Sequence, residues 1–121
     1  MRAVVVSDKI RVSVRDRGEF ELEQTIASDG TVCLAVIGEL DLAVVDGLVE
    51  RLSELKRSGK HVRLDLSRLR FIDSSGIRAV LVAVSDARRD GWELEIGREL
   101  TGQVQRVIKT LGVASALWPT G

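Results

Sequence analysis

Apolar and polar positions change their period several times along this chain, and the changes mark out its elements. From residue 20 the period is two: Phe20, Leu22, Gln24 and Ile26 share one side, with Glu21, Glu23 and Thr25 on the other. Such alternation predicts a half-buried strand. Asp29-Gly30 follows, a favoured pair for a tight hairpin turn. Thr31 to Ile37 is more uniformly apolar, as expected of a more deeply buried strand. Gly38-Glu39-Leu40-Asp41 reads as the end of that strand. Leu42, Val45, Leu48, Val49, Leu52 and Leu55 then recur at helical spacing, which predicts an amphipathic helix to Arg57. Gly47 weakens it by about 1 kcal/mol relative to alanine, and Gly59 is placed to end it.

His61 to Leu66 reads as a third strand with Val62, Leu64 and Leu66 inward, and Ser67 to Arg70 as a short basic connection. In Phe71-Ile72-Asp73-Ser74-Ser75-Gly76-Ile77 an apolar run ends, two adjacent hydroxyls follow, and a helical pattern begins. Ile77, Val80, Leu81 and Val84 mark a second helix to Arg89, closed by Gly91. Trp92, Leu94 and Ile96 alternate as a fourth strand, and 97–100 is a turn. Val104, Val107, Ile108 and Leu111 give a third helix ended by Gly112, with 113–118 as the start of one more strand. Residues 1–18 mix short apolar runs with charge and read either as edge strands or as a loosely held N-terminal extension. Residues 119–121 form a short tail. This order predicts an α/β fold: a mixed sheet with an N-terminal antiparallel hairpin, then parallel strands with amphipathic helices.

Length and charge narrow the function. The chain has 121 residues, which fits one domain. Two Phe, two Trp and no Tyr leave little for stacking nucleic-acid bases. Lys plus Arg equals Asp plus Glu at 18 each, so no net charge draws the chain to nucleic acid or anionic lipid. Arg63, Arg68, Arg70, Arg78, Arg88 and Arg89 are scattered by strand and helix spacing, and are expected to be solvated or paired. The single cysteine, Cys33, excludes an internal disulfide and reads as a small buried hydrophobe. No signal peptide and no spanning run of about 18 apolar residues is visible, so a cytoplasmic protein is expected.

Enzyme chemistry finds no support. The only histidine, His61, stands at a strand start without a nucleophile or acid at a useful spacing. There is no Gly-x-Ser-x-Gly elbow, no phosphate-cradling glycine loop and no set of metal ligands. No catalytic residue, metal or other cofactor is assigned.

Topology gives the double-serine turn a place. Strands flanking a crossover helix run parallel and finish at the same edge of the sheet, where open α/β sheets build their sites. Asp41 leaves the second strand there, and Asp73 and Ser74 leave the third, so the two turns are expected to be neighbours. Asp73 or Ser74 is also a good helix N-cap. Taken alone, the motif does no more than start a helix. The same position nevertheless suits added negative charge, because free amides and the helix dipole favour it.

Gly38-Glu39-Leu40-Asp41, a helix, the strand His61–Leu66 and then Phe71-Ile72-Asp73-Ser74-Ser75-Gly76-Ile77 resemble the STAS domain, and within it the bacterial anti-sigma factor antagonists. Gly91-Trp92-Glu93-Leu94 and Thr110-Leu111-Gly112-Val113 extend the resemblance over residues 19–118. It implies a partner-switching regulator of transcription. The unphosphorylated form binds an anti-sigma factor that is also a serine kinase and so releases the sigma factor. The kinase then phosphorylates the antagonist, and a PP2C-type phosphatase restores it. The serine after the aspartate, Ser74, matches the family's phosphorylated residue, with Ser75 the less favoured acceptor. Asp41, Asp73, Ser74, Ser75, Gly76 and Ile77 become the expected partner surface, with Gly76 allowing close approach. A STAS module acting as an unphosphorylated scaffold in another complex is the alternative. The chain departs from the family pattern at Leu42-Ala43-Val44-Val45, where relatives carry polar residues and a Thr-Ala pair. It departs again in residues 1–18, and in stopping soon after Trp118 where relatives continue through a last helix.

Overall fold

The structure, a computed structural model, describes residues 6–13 and 20–119. The elements, in order, are β1 (Val6–Ser13), β2 (Phe20–Ile26), β3 (Val32–Leu40), α1 (Val45–Ser58), β4 (Val62–Asp65), β5 (Leu69–Ile72), α2 (Ser74–Asp90), β6 (Leu94–Ile96), α3 (Gly102–Leu111) and α4 (Ala114–Leu117). β1 pairs antiparallel with β2 along the sheet edge, which matches the edge-strand reading of the first eighteen residues. The rest of that stretch, and residues 120–121 of the tail, lie outside the described residues.

β3 is the central strand. β2 pairs antiparallel along its length, from Phe20 opposite Gly38 to Ile26 opposite Val32. On the other side two short parallel strands share it: β4 lies against Val32–Ala35, and β5 against Gly38–Leu40. β6 pairs parallel with β4. The sheet is therefore mixed as expected, an antiparallel start followed by parallel strands. Val32, Leu34, Val36, Leu40, Val62 and Leu64 are almost wholly buried and form the core with Leu48, Leu52, Val80, Val104 and Ile108 of the helices. Their every-second-residue spacing in the strands puts them on one face of the sheet.

Four sequence expectations are corrected. The β2–β3 turn is longer than a two-residue hairpin: it spans 27–31, with Ala27 N–H donating to Thr31 O (2.9 Å) and Asp29 Oδ1 accepting from Thr31 N (2.9 Å). The strand read as 31–37 runs on to Leu40, inside the stretch read as its end, and Gly38 within it takes φ +97° at an irregularity in the ladder, a backbone state open to glycine. The connection read at 67–70 is partly β5. Residues 114–117 form a helical turn, α4, which buries Leu117 at 4% exposure; Trp118 Nε1 then donates to Ile96 O (2.8 Å).

β5 escapes detection in the sequence because it is four residues long and, among the described residues, its outer edge has no strand partner. Side chains at the start of α3 cover that edge. Thr101 Oγ1 donates to Leu69 O (2.6 Å), and Gln103 Oε1 accepts from Ile72 N–H (3.1 Å). These contacts satisfy backbone groups that an edge strand would otherwise leave open.

Candidate functional site

The turns after β3 and β5 meet through one carboxylate. Asp73 N–H donates to Leu40 O (3.2 Å). Asp73 Oδ1 accepts from Gly76 N–H (3.1 Å), which caps α2. Its second oxygen, Oδ2, accepts from Leu42 N–H (3.3 Å). The start of α2 is thus tied to the turn leading into α1, the neighbourhood expected from topology. Asp41 winds that turn: its Oδ1 accepts from Ala43 N–H (3.0 Å), and its carbonyl accepts from Val44 and Val45 (3.1 and 3.0 Å). Both aspartates hold backbone.

Because Asp73 supplies the cap, the Ser74 hydroxyl is not needed for it. Ser74 is the first residue of α2 and is exposed, while Ser75 is half-buried. Both line a groove of about 740 Å³ between α1 and α2. Its walls are apolar, from Val45, Val49, Leu52, Ile77 and Leu81 among others. Four large apolar side chains along it stand well out of the protein: Leu42 at 73% exposure, Val82 at 50%, Leu111 at 49% and Val49 at 44%. An exposed apolar cluster of this kind marks an interaction surface.

Three residues behave differently from the sequence reading. The helical spacing puts Leu42 on the buried stripe of the first helix, but α1 begins only at Val45 and Leu42 lies in the preceding turn. Its spacing to Val45 fits a helix, and only the Asp41 turn reveals otherwise. Gly76 is buried, and a Cβ there would stand 2.7 Å from Ile72 Cγ1 and 2.9 Å from Leu40 Cγ. The close approach it permits is between α2 and the ends of β3 and β5, not with a partner. Ile77 is 4% exposed and forms part of the groove floor.

The single histidine stands away from Ser74. His61 lies at the amino end of β4, near Glu93 (3.5 Å) and Glu95 (3.8 Å), whereas Ser74 follows the carboxyl end of β5. Among the described residues no three metal-ligating side chains gather, and no helix is long and apolar enough to cross a membrane. Cys33 is half-buried, and burial pushes its thiol pKa up, which disfavours the reactive thiolate. Arg63, Arg68, Arg70 and Arg89 pair with Glu95, Glu23, Glu39 and Asp86 respectively. At the far end of the groove Lys56 of α1 bridges to Asp90 of α2. Hydrogen bonds from Arg89 and then Lys56 hold the Asp90 carboxyl down at about 2.

The class defined by this fold is a small α/β domain that presents a serine and an apolar groove at one end of a mixed sheet. Residues 24–119 match the family model described as "Mlab, STAS domain", and the chain belongs to the STAS domain family. Solved structures agree on the fold. An anti-sigma factor antagonist from Mycobacterium paratuberculosis is 18% identical, with a TM-score of 0.68 over 88% of this chain and 87% of that one. The anti-sigma factor antagonist SpoIIAA in its unphosphorylated form is 25% identical, with a TM-score of 0.61 over 78% and 81%. SpoIIAA of Bacillus in its phosphorylated form gives 24%, 0.57, 78% and 84%. A likeness to the much longer Mglu, at 23% identity and TM-score 0.51, covers 59% of this chain but only 18% of that one. No curated protein sequence matches the chain.

Proposed function

We propose that this protein is an anti-sigma factor antagonist whose unphosphorylated form binds an anti-sigma factor serine kinase through the α1–α2 groove and is switched off by phosphorylation of Ser74. The observation that carries this reading is the pairing of an exposed serine, relieved of capping duty by Asp73, with the apolar groove it lines. Likeness to SpoIIAA, described in both unphosphorylated and phosphorylated forms, supports it. The protein supplies the acceptor and has no catalytic role of its own. Ser74 Oγ attacks the γ-phosphorus of the kinase's ATP, the bond to ADP breaks, and the hydroxyl proton passes to a base of the kinase. A PP2C-type phosphatase returns the hydroxyl by hydrolysis. The added dianion lies on the surface, so it acts against the partner rather than on the fold. All of this chemistry belongs to the cytoplasm of a bacterium.

A second reading rests on the description of the matched family model, "Mlab, STAS domain", which covers residues 24–119. Here the groove docks a partner in another complex, and Ser74 stays unmodified. Incubation with ATP and a candidate anti-sigma factor serine kinase from the source cell separates the two. Transfer of label to the parent protein and not to Ser74→Ala is the expected result. Equal labelling of both would remove Ser74 as the acceptor, and binding of the partner without any labelling would favour the scaffold.

A further inference from the structure

Three charged residues line the α1–α2 groove, and two of them are already paired: Lys56 with Asp90, and Asp86 with Arg89. The third, Arg78, is exposed and has no carboxylate partner among the described residues. It lies four residues after Ser74 on α2. Side chains at that spacing share one face, with Cβ atoms about 5–6 Å apart. Helical side chains also lean toward the N-terminus, so the long arginine stem can reach back over the turn that begins with Ser74. The first turn of α2 holds no acidic residue, and the nearby carboxylate, Asp73 at the cap, already accepts from the Gly76 and Leu42 amides.

We propose that Arg78 holds the phosphoryl group of phosphorylated Ser74, across one turn of α2. The proposal rests on Ser74 being the acceptor. A guanidinium offers a planar fork of donors that matches phosphate oxygens, and such charge-assisted bonds are about twice as strong as neutral ones. The order, anion first and cation four residues later, is the favourable one on a helix. Phosphorylation then changes the groove twice. It adds a dianion at the rim, and it withdraws the unpaired cation from the groove wall. A partner carboxylate drawn to Arg78 would meet repulsion and lose its counter-charge in one event. Arg78 is a positioning residue in this scheme and takes no part in the transfer.

The test bypasses any kinase: phosphoserine is inserted at position 74 during translation, and its second ionisation is followed by phosphorus NMR. Arg78 favours the dianion, so Arg78→Ala should raise that pKa by roughly 0.5 pH unit, and Arg78→Lys should restore part of the shift. Arg88→Ala removes another exposed cation far along the same helix and should leave the titration unchanged. Unphosphorylated Arg78→Ala should melt with the parent, since no ion pair is lost. An unchanged phosphate titration in Arg78→Ala, or an equal shift in Arg88→Ala, overturns the proposal. Failure of a kinase to label Ser74 would bear on the acceptor reading alone, because here the phosphate is already installed.

Discussion

A single methyl group at position 76 is enough to test how the site is built. The Cβ of an alanine there would fall 2.7 Å from Ile72 Cγ1 and 3.0 Å from the Leu40 carbonyl oxygen. The carbonyl belongs to the sheet and cannot rotate away, so α2 must lift from β3 and β5. Gly76→Ala should cost about 2 kcal/mol, as overpacking of a tight core does, read as a lower urea midpoint at constant slope. Ser75→Ala, one residue earlier, should fold with less than about 0.5 kcal/mol of change. At this scale much is legible in the sequence. A cap at Asp73 or Ser74 follows from their place before an apolar helical run, because capping is local chemistry, and the structure gives the role to Asp73. The direction each residue faces is not legible. The family resemblance puts Gly76 on the partner surface and the helical spacing puts Leu42 in the core, the reverse of where they lie, since burial depends on how α2 seats against the ends of β3 and β5.

The elements most relevant to the site are held by contacts no period in the sequence announces. The helical patterns of α1, α2 and α3 are plain, and so are their glycine ends. β5 is not, because a four-residue strand shows little alternation and its outer edge is covered by side chains at the start of α3. Gln103 is the clearest case: its Oε1 meets the Ile72 amide next to Asp73. Gln103→Ala strands a partly buried donor and should cost about 1–2 kcal/mol. The slowed exchange of the Ile72 amide should be lost in the variant, and its persistence would assign that protection to something else. The clip between the C-terminal ends of α1 and α2 makes a different prediction. Asp90 is held at about 2, below its usual 3.8, by Arg89 and then Lys56. A carboxyl with a lowered folded pKa stabilises above its unfolded value, and loses that contribution as pH falls through the folded one. The difference in stability between the parent and Asp90→Asn should therefore be constant near neutrality and shrink between about pH 4 and pH 2. A difference that grows on acidification would contradict the assignment.

Across the whole molecule the sheet buries one face under the helices, and the two longest helices leave a seam between them that is not closed. One end of that seam, with Leu42 and Ser74, is where topology leads one to expect function, at the carboxyl edge shared by β3 and β5. The seam's apolar rim is the part hidden from sequence reading, because Leu42, Val49, Val82 and Leu111 are residue types and spacings that true core positions also show. Their exposure sets an unusual demand. A side chain in the core cannot become charged without unfolding the protein, whereas one on a docking rim can. Leu42, at 73% exposure, decides between the two. Leu42→Asp should leave stability within about 0.5 kcal/mol of the parent. Yet it places a charge beside Ser74 on the surface offered to a partner, and should weaken binding of the kinase proposed as that partner at least about tenfold, as loss of a central apolar contact does. Thermal melting and titration binding, run on the same variant, give the answer together. A large fall in melting temperature would return Leu42 to the core, and unchanged binding with unchanged stability would place the partner's contact elsewhere on the domain.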